Sequence, residues 1–258
     1  MSEELFIRDI MSKPVTIAKS AAITEALDKM LTEAVDPLIV VNNGSVVGTI
    51  SRRTIAETLG SKKNSGMSPS SIHVSNSMEE DFTTVYPDQD LEILVPLLQH
   101  YKLVVVYDED HRLIGQVNAQ DLLKAYRPEG SVKEMMEPAC TIDSEERVVH
   151  MRRRMLDDSI HRFVVTENNN IVGIVTETDV AKAMRDFRKM VEGRHQDHRI
   201  RNLLVKDIMT SPVISVTGDK KISGVIDTMV QKNISAIPVV DNNSLTGMVT
   251  RNSLIRAL

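Results

Sequence analysis

Thr176, Thr178 and Asp179 set two hydroxyls and a carboxylate within four residues. They close the stretch Gly173 Ile174 Val175 Thr176 Glu177 Thr178 Asp179, where glycine leads into apolar, mostly β-branched residues. A polar residue then opens an amphipathic run through Val180, Ala181, Ala183 and Met184. This pattern predicts a turn, a strand and a helix start in succession. At such a handover, unpaired backbone N–H groups and the positive end of the helix dipole face one small volume. Threonine hydroxyls there can donate to a phosphate, and a carboxylate can accept from both hydroxyls of a ribose diol. The combination suits a nucleotide. The same residue types also serve as helix caps, a plainer use that the sequence alone leaves open.

Three other segments copy the stretch, Gly48 to Thr54, Gly115 to Asp121 and Gly247 to Ser253. Their glycines, with Gly173, follow Met11, Met78, Met136 and Met209 by 37, 37, 37 and 38 residues, taken in chain order. Chance does not give four such spacings. The chain therefore reads as four repeats of about sixty residues, each burying its apolar face only against its neighbours. They are placed at 1–60, 70–127, 128–190 and 200–258. In repeat 1, Pro14 precedes an extended segment, and Ser20 is expected to cap a helix carrying Ala22, Ile23, Ala26, Leu27 and Met30 on one face. Pro37 to Val41 and Val46 to Ile50 flank Asn43 Gly44, a strong hairpin signal. Repeat 2 diverges, because Pro96 stands inside the expected helix Leu91 to Gln99 and should kink or break it. Gly60 to Pro69 and Arg127 to Gly130 read as connectors, and Ala181 to Leu204 as a solvated, mixed-charge connecting helix.

Four Phe, four Tyr and no Trp require a core of Ile, Val, Leu, Met and Ala, so a planar ligand would lie between aliphatic side chains. The net charge of −5 gives no general attraction to nucleic acid or to an anionic membrane. The basic residues from Arg185 to Arg201 raise nucleic-acid binding as a rival, but no helix-turn-helix or zinc-finger pattern accompanies them. His195 and His198 alone are too sparse for zinc, and the sequence has no Walker A, HExxH or nucleophile-elbow motif. These features point to a chain that is not an enzyme and carries neither metal nor cofactor. Cys140 stands alone, which permits no internal disulfide. The first ten residues include Glu3, Glu4, Arg8 and Asp9, and no apolar run is long enough to span a membrane. The expectation is a soluble, cytoplasmic protein.

Asp207 Ile208 Met209, Pro212 Val213, Ile237 Pro238 Val239 Val240 Asp241 and Gly173 to Asp179 together resemble the signature of the CBS-domain proteins, named after cystathionine β-synthase. The resemblance covers nearly the whole chain in four copies. It implies an α/β (α+β) fold in which repeats pair through their sheets into two Bateman modules, 1–127 and 128–258, stacked as a disc. That layout is similar to the gamma subunit of AMP-activated protein kinase and to stand-alone microbial four-repeat proteins. It also implies that Asp179 holds ribose while Thr176 and Thr178 approach phosphate. Ile160 His161 Arg162 resembles a His-Arg-Leu stretch of the kinase subunit, which implies phosphate contact for Arg162 with His161 beside it. Ile234 Ser235 Ala236 resembles a segment bordering adenine, and Thr141 and Thr250 complete the implied set. Asp121, Asn118 and Lys102 form an altered second site. Repeats 1 and 4 carry Thr54 and Ser253 in place of the aspartate and so lose the carboxylate for a diol, while Arg52 and Arg251, at one shared motif position, are expected to face phosphate from the partner repeat. The implied function is a non-catalytic sensor of AMP, ADP or ATP that acts on a regulated protein, with room for a homodimer. S-adenosylmethionine and a cyclic dinucleotide are the alternative ligands.

Overall fold

The computed structural model describes residues 5–61, 64, 67–190 and 202–258. Repeat 1 runs α1 (Ile7–Ile10), β1 (Thr16–Ala18), α2 (Ile23–Thr32), β2 (Leu38–Asn42), β3 (Ser45–Ile50) and α3 (Arg52–Leu59). β1 pairs parallel with β2, and β2 antiparallel with β3. The hairpin closes on Asn43 and Gly44 with φ of 49° and 83°, the two positive values that a tight two-residue turn demands. Repeat 2 follows with β4 (Thr83–Val85), α4 (Leu94–His100), β5 (Leu103–Tyr107), β6 (Leu113–Asn118) and α5 (Ala119–Ala125). Repeat 3 has α6 (Val132–Met135), β7 (Thr141–Asp143), α7 (Val148–Asp157), β8 (Arg162–Glu167), β9 (Asn170–Thr176) and α8 (Glu177–Met190). Repeat 4 has α9 (Ile222–Gln231), β10 (Ala236–Asp241), β11 (Ser244–Thr250) and α10 (Arg251–Ile255). There a single parallel bridge, Val216 to Val239, stands where the other repeats have a first strand.

Two local expectations change. Ser20 does not cap α2, whose N-cap is Ala22 without a side-chain bond. The Ile23 amide donates instead to the Ile72 carbonyl at 2.9 Å, so a neighbouring stretch of backbone satisfies the helix end and no hydroxyl is needed. Pro96 does not break its helix either. A 3-10 turn at Leu91–Ile93 precedes α4, and Pro96 is the third residue of α4, where a backbone N–H would have no intrahelical partner anyway. Beyond Met190, the connecting stretch with Arg194, His195, His198, Arg199 and Arg201 lies outside the described residues.

Each repeat buries two surfaces. Sheet faces meet within pairs: Ile39 of repeat 1 packs with Leu103 and Val105 of repeat 2, and Val164 of repeat 3 with Ala236 and Met248 of repeat 4. Helical faces meet between the pairs. Repeat 1 shares a core with repeat 3, where Leu27, Ala56 and Leu59 join Met151, Val180 and Met184. Repeat 2 shares the corresponding core with repeat 4 through Leu94, Leu98 and Leu122 against Ile226, Leu254 and Ile255. Phe163 is the one fully buried aromatic residue among the described residues. Each fully buried aliphatic side chain contributes about 1.5–3 kcal/mol relative to exposure, so loss of either surface would leave a repeat without its main support.

The methionine and glycine spacing has a cause that runs between repeats. Met11 lies over Gly115, and Met78 over Gly48, so each methionine packs on its partner's glycine and not on its own. Met136 on Gly247 and Met209 on Gly173 repeat the exchange. A Cβ on Gly173 would come within 2.6 Å of the Met209 sulfur. The residue after each methionine then bridges to the partner hairpin, as Ser12 does to Gln116, Glu79 to Thr49, Glu137 to Met248 and Thr210 to Ile174.

Candidate functional site

The start of α8 carries Thr176, Glu177, Thr178 and Asp179. Asp179 Oδ2 accepts from the Thr176 amide at 2.8 Å and from the Thr176 hydroxyl at 2.7 Å, so it does cap the helix. Its other oxygen accepts from the Thr210 hydroxyl at 3.3 Å, delivered by the crossing segment of repeat 4. Thr178 Oγ1 accepts from Arg52 Nη1 of repeat 1 at 3.4 Å. Arg52 also donates to the Met30 carbonyl, while its buried Nε has no partner.

Repeat 2 builds the same corner with different atoms. Asp121 Oδ2 accepts from the Asn118 amide at 3.0 Å and from the Ser12 hydroxyl at 3.4 Å. Asn118 Oδ1 in turn accepts from the Gln120 and Asp121 amides. Burial pushes the Asp121 carboxyl above its ordinary range, against the Asn118 hydrogen bond and the Lys124 charge. Arg251 of repeat 4 reaches this corner, donating to Gln120 Oε1 at 2.5 Å. Burial brings the Arg251 guanidinium down to about 10, with the Asp121 charge opposing and the nearby Arg162 charge reinforcing the fall. It remains a cation at neutral pH. Arg52 and Arg251 thus extend from one module to the aspartate-bearing helix start of the other.

Repeats 1 and 4 lack the motif aspartate, but a glutamate arrives from the paired repeat. Glu137 Oε1 accepts from the Thr250 hydroxyl at 3.0 Å, and Arg256 pairs with its other oxygen. Glu79 crosses to Thr49 through backbone alone, its carbonyl accepting from the Thr49 amide at 2.9 Å, as the Glu137 carbonyl accepts from the Met248 amide at 2.8 Å. Where the helix supplies Asp121 or Asp179, the crossing residue is a hydroxyl, Ser12 or Thr210. Where the helix supplies Thr54 or Ser253, the crossing residue is Glu79 or Glu137. The residue after each motif methionine carries this signal, which a comparison of helix starts alone does not show.

Two of the residues assigned to phosphate, His161 and Lys102, meet at Glu177, which the sequence reading did not single out, and Arg53 joins them. His161 Nδ1 lies 2.8 Å from one Glu177 oxygen, Lys102 Nζ of repeat 2 lies 3.3 Å from the other, and Arg53 Nε of repeat 1 lies at 3.9 Å. Burial opposes ionisation of Glu177, but the His161 hydrogen bond and the Lys102 and Arg53 charges outweigh it and hold the carboxyl below its ordinary range. Arg162 is held below its ordinary value by burial and donates to the Ser235 carbonyl at 3.3 Å. The Ser235 carbonyl also accepts from the Arg251 amide, so repeats 3 and 4 meet there. Ile234 is half-buried and Ala236 buried beside it, the apolar edge of the same seam. Ile160 packs on the core of repeats 1 and 3. Thr141 is exposed at the start of β7, paired with Val164, and Thr250 is buried as the cap of α10. Behind Glu177, a recess between α3, α7 and α8 is lined by Arg53, Glu57, Arg152 and Met155. Among the described residues there is no metal-holding cluster and no helix long and apolar enough to cross a membrane.

The model of the CBS domain matches residues 7–61, 72–128, 132–186 and 205–258. The chain belongs to the CBS-domain family. Protein MJ1225 of Methanocaldococcus jannaschii is 26% identical over 267 aligned residues, covering 95% of both chains. The crystal structure of MJ1225, described as a candidate archaeal homologue of g-AMPK, superposes with a TM-score of 0.81 over 98% of this chain and 99% of that one, at 24% identity. MJ1404 of the same organism is 25% identical over 97% of this chain, which spans 61% of that protein's length. A homoserine O-acetyltransferase of Methanococcus vannielii is 26% identical over 62% of this chain and 31% of its own length. That likeness covers under a third of the enzyme and brings no activity with it.

Proposed function

We propose that this CBS-domain chain is a non-catalytic sensor that binds an adenine nucleotide, AMP, ADP or ATP, between paired repeats and passes its occupancy to a regulated protein in the cytoplasm. The observation that carries the reading is the convergence at the α8 start. One turn of helix presents the Asp179 carboxylate and the Thr178 hydroxyl, and His161, Arg162, Lys102 and Arg52 stand around it from three repeats. In this reading Asp179 accepts from the ribose diol with the oxygen that now faces Thr210. Arg162 and Arg52 hold the phosphate as fixed cations, and the Ile234 to Ala236 seam borders the base. The Asp121 corner is a second site, in which Arg251 supplies the cation. A cluster of guanidinium and ammonium groups is the wrong partner for the sulfonium of S-adenosylmethionine, which ranks the nucleotides ahead of it. Isothermal titration of the purified chain against adenosine, AMP, ADP, ATP, S-adenosylmethionine and a cyclic dinucleotide tests the reading. Saturable binding strongest among AMP, ADP and ATP is expected. Absence of heat with every adenosine compound, or turnover of a bound nucleotide, would refute it.

A further inference from the structure

We propose that Glu177 is the resident anion of the phosphate cleft and sets how much negative charge a ligand must bring in order to bind there. The inference rests on the nucleotide reading given above and adds to it the residue that determines charge specificity. Glu177 is the first residue of α8, two before Asp179, and its side chain is 13% exposed. Two cations and an imidazole from three different repeats converge on its two oxygens: Arg53 from repeat 1, Lys102 from repeat 2 and His161 Nδ1 from repeat 3. Arg162 lies within its field as well. The repeat 1 and repeat 4 copies carry arginine at this helix position, Arg52 and Arg251, and the repeat 2 copy carries Ala119. Only repeat 3 therefore places a carboxylate in the centre of the cluster.

The consequence is a competition. His161 and Lys102 are already hydrogen-bonded to a carboxylate, so a phosphate entering the cleft replaces an existing charge-assisted partner instead of meeting bare cations. A ligand with no phosphate has nothing to exchange and gains nothing from displacing Glu177. A ligand with more phosphates offers more oxygens for the same exchange and recovers more. Displacement also frees Lys102 and removes the 3.9 Å contact of Arg53, which keeps its pair with Glu57 at 2.8 Å. Both cations belong to the other module, so occupancy by a polyphosphate changes contacts between modules where adenosine would leave them intact.

Titration of the full chain and of Glu177→Gln with adenosine, AMP, ATP and inorganic pyrophosphate decides the point. Glu177→Gln should bind AMP and pyrophosphate about tenfold more tightly than the parent, and ATP by a larger factor, with adenosine within about twofold, the scale of one charge-assisted hydrogen bond no longer competed for. A purely structural ion pair gives the opposite result: phosphate compounds weakened, or adenosine and phosphates shifted alike, and either overturns the inference. If the parent binds no adenosine compound, the nucleotide reading falls, while the pyrophosphate comparison still decides the role of Glu177. If Glu177→Gln does not fold, Glu177→Asp takes its place. Its carboxylate is withdrawn by one methylene and should still tighten pyrophosphate binding, and an unchanged or weaker affinity counts against the proposal.

Discussion

At Asp121 and Asp179 the carboxylate that closes the first helical turn also meets a hydroxyl from the paired repeat, Ser12 or Thr210. Capping therefore leaves room for the proposed ligand contact at Asp179, since one oxygen serves Thr176 and the other meets only the Thr210 hydroxyl across the pair. Thr250 shows the hydroxyl side of the same pairing, capping α10 while donating to Glu137. Thr250→Val should lower stability by about 1–2 kcal/mol, the usual effect of losing an N-cap, measured by urea unfolding. Glu177 makes stability depend on pH. Its folded carboxyl lies below the ordinary 4.5, so its contribution is fully present above that value and is lost as pH falls through the folded value. The acid limb of the stability profile below about pH 4.5 should be shallower in Glu177→Gln than in the parent, and an unchanged limb would show that Glu177 is not held as an ion. The Thr176 to Asp179 corner was legible because its residues are local, four in a row at a helix start. Glu177 was not legible as a meeting point, because its partners lie in other repeats and only packing brings them together. Arg52 was marked by the motif position it shares with Arg251, but its contact with Thr178 of repeat 3 was not legible.

The motif glycines lie not at a turn but inside the second strand of each hairpin, where they face different obstacles, and this ranks their substitutions. At Gly48, φ is +152° and a Cβ would lie 2.1 Å from the Glu79 carbonyl oxygen, a backbone atom that cannot swing away. At Gly115 the nearest atom is the sulfur of Met11 at 2.7 Å, part of a flexible side chain. Gly48→Ala should therefore destabilise more than Gly115→Ala, which should cost about 1–3 kcal/mol as an overpacking change, and equal losses in thermal melts would contradict the exchanged packing. Strand and hairpin positions could be read closely from β-branched runs and the Asn-Gly turn, as β2 (Leu38–Asn42) and β3 (Ser45–Ile50) show against the expected Pro37 to Val41 and Val46 to Ile50. Helix ends were read less well. Ser20 was passed over for a backbone acceptor, and Pro96 was tolerated because a 3-10 turn put it in the first helical turn. Neither outcome is encoded within the residues of the helix itself.

Each repeat touches one neighbour through its sheet and another through its helices, and the residues that would hold a nucleotide are drawn from both kinds of contact. The regular methionine-to-glycine spacing revealed the repeats, yet the contact it encodes joins partners and not the ends of one unit, since Met11 packs on Gly115. A ligand that binds only the assembled repeats stabilises the whole chain. Saturation at about 100 times the dissociation constant should add about 2.7 kcal/mol, read as a rise in melting temperature, and a melt unmoved by a ligand that titration shows to bind would contradict assembly of the site from all four repeats. The central claim, a nucleotide held through the ribose by Asp179, is tested most directly by titrating the tightest adenosine ligand against Asp179→Asn beside the parent. The amide oxygen still accepts from the Thr176 amide, so the melting temperature should hardly move. Loss of the charged acceptor should weaken binding by about one to two powers of ten, the scale of a hydrogen bond to a charged group. If Asp179→Asn instead binds as tightly as the parent, Asp179 is a helix cap and nothing more.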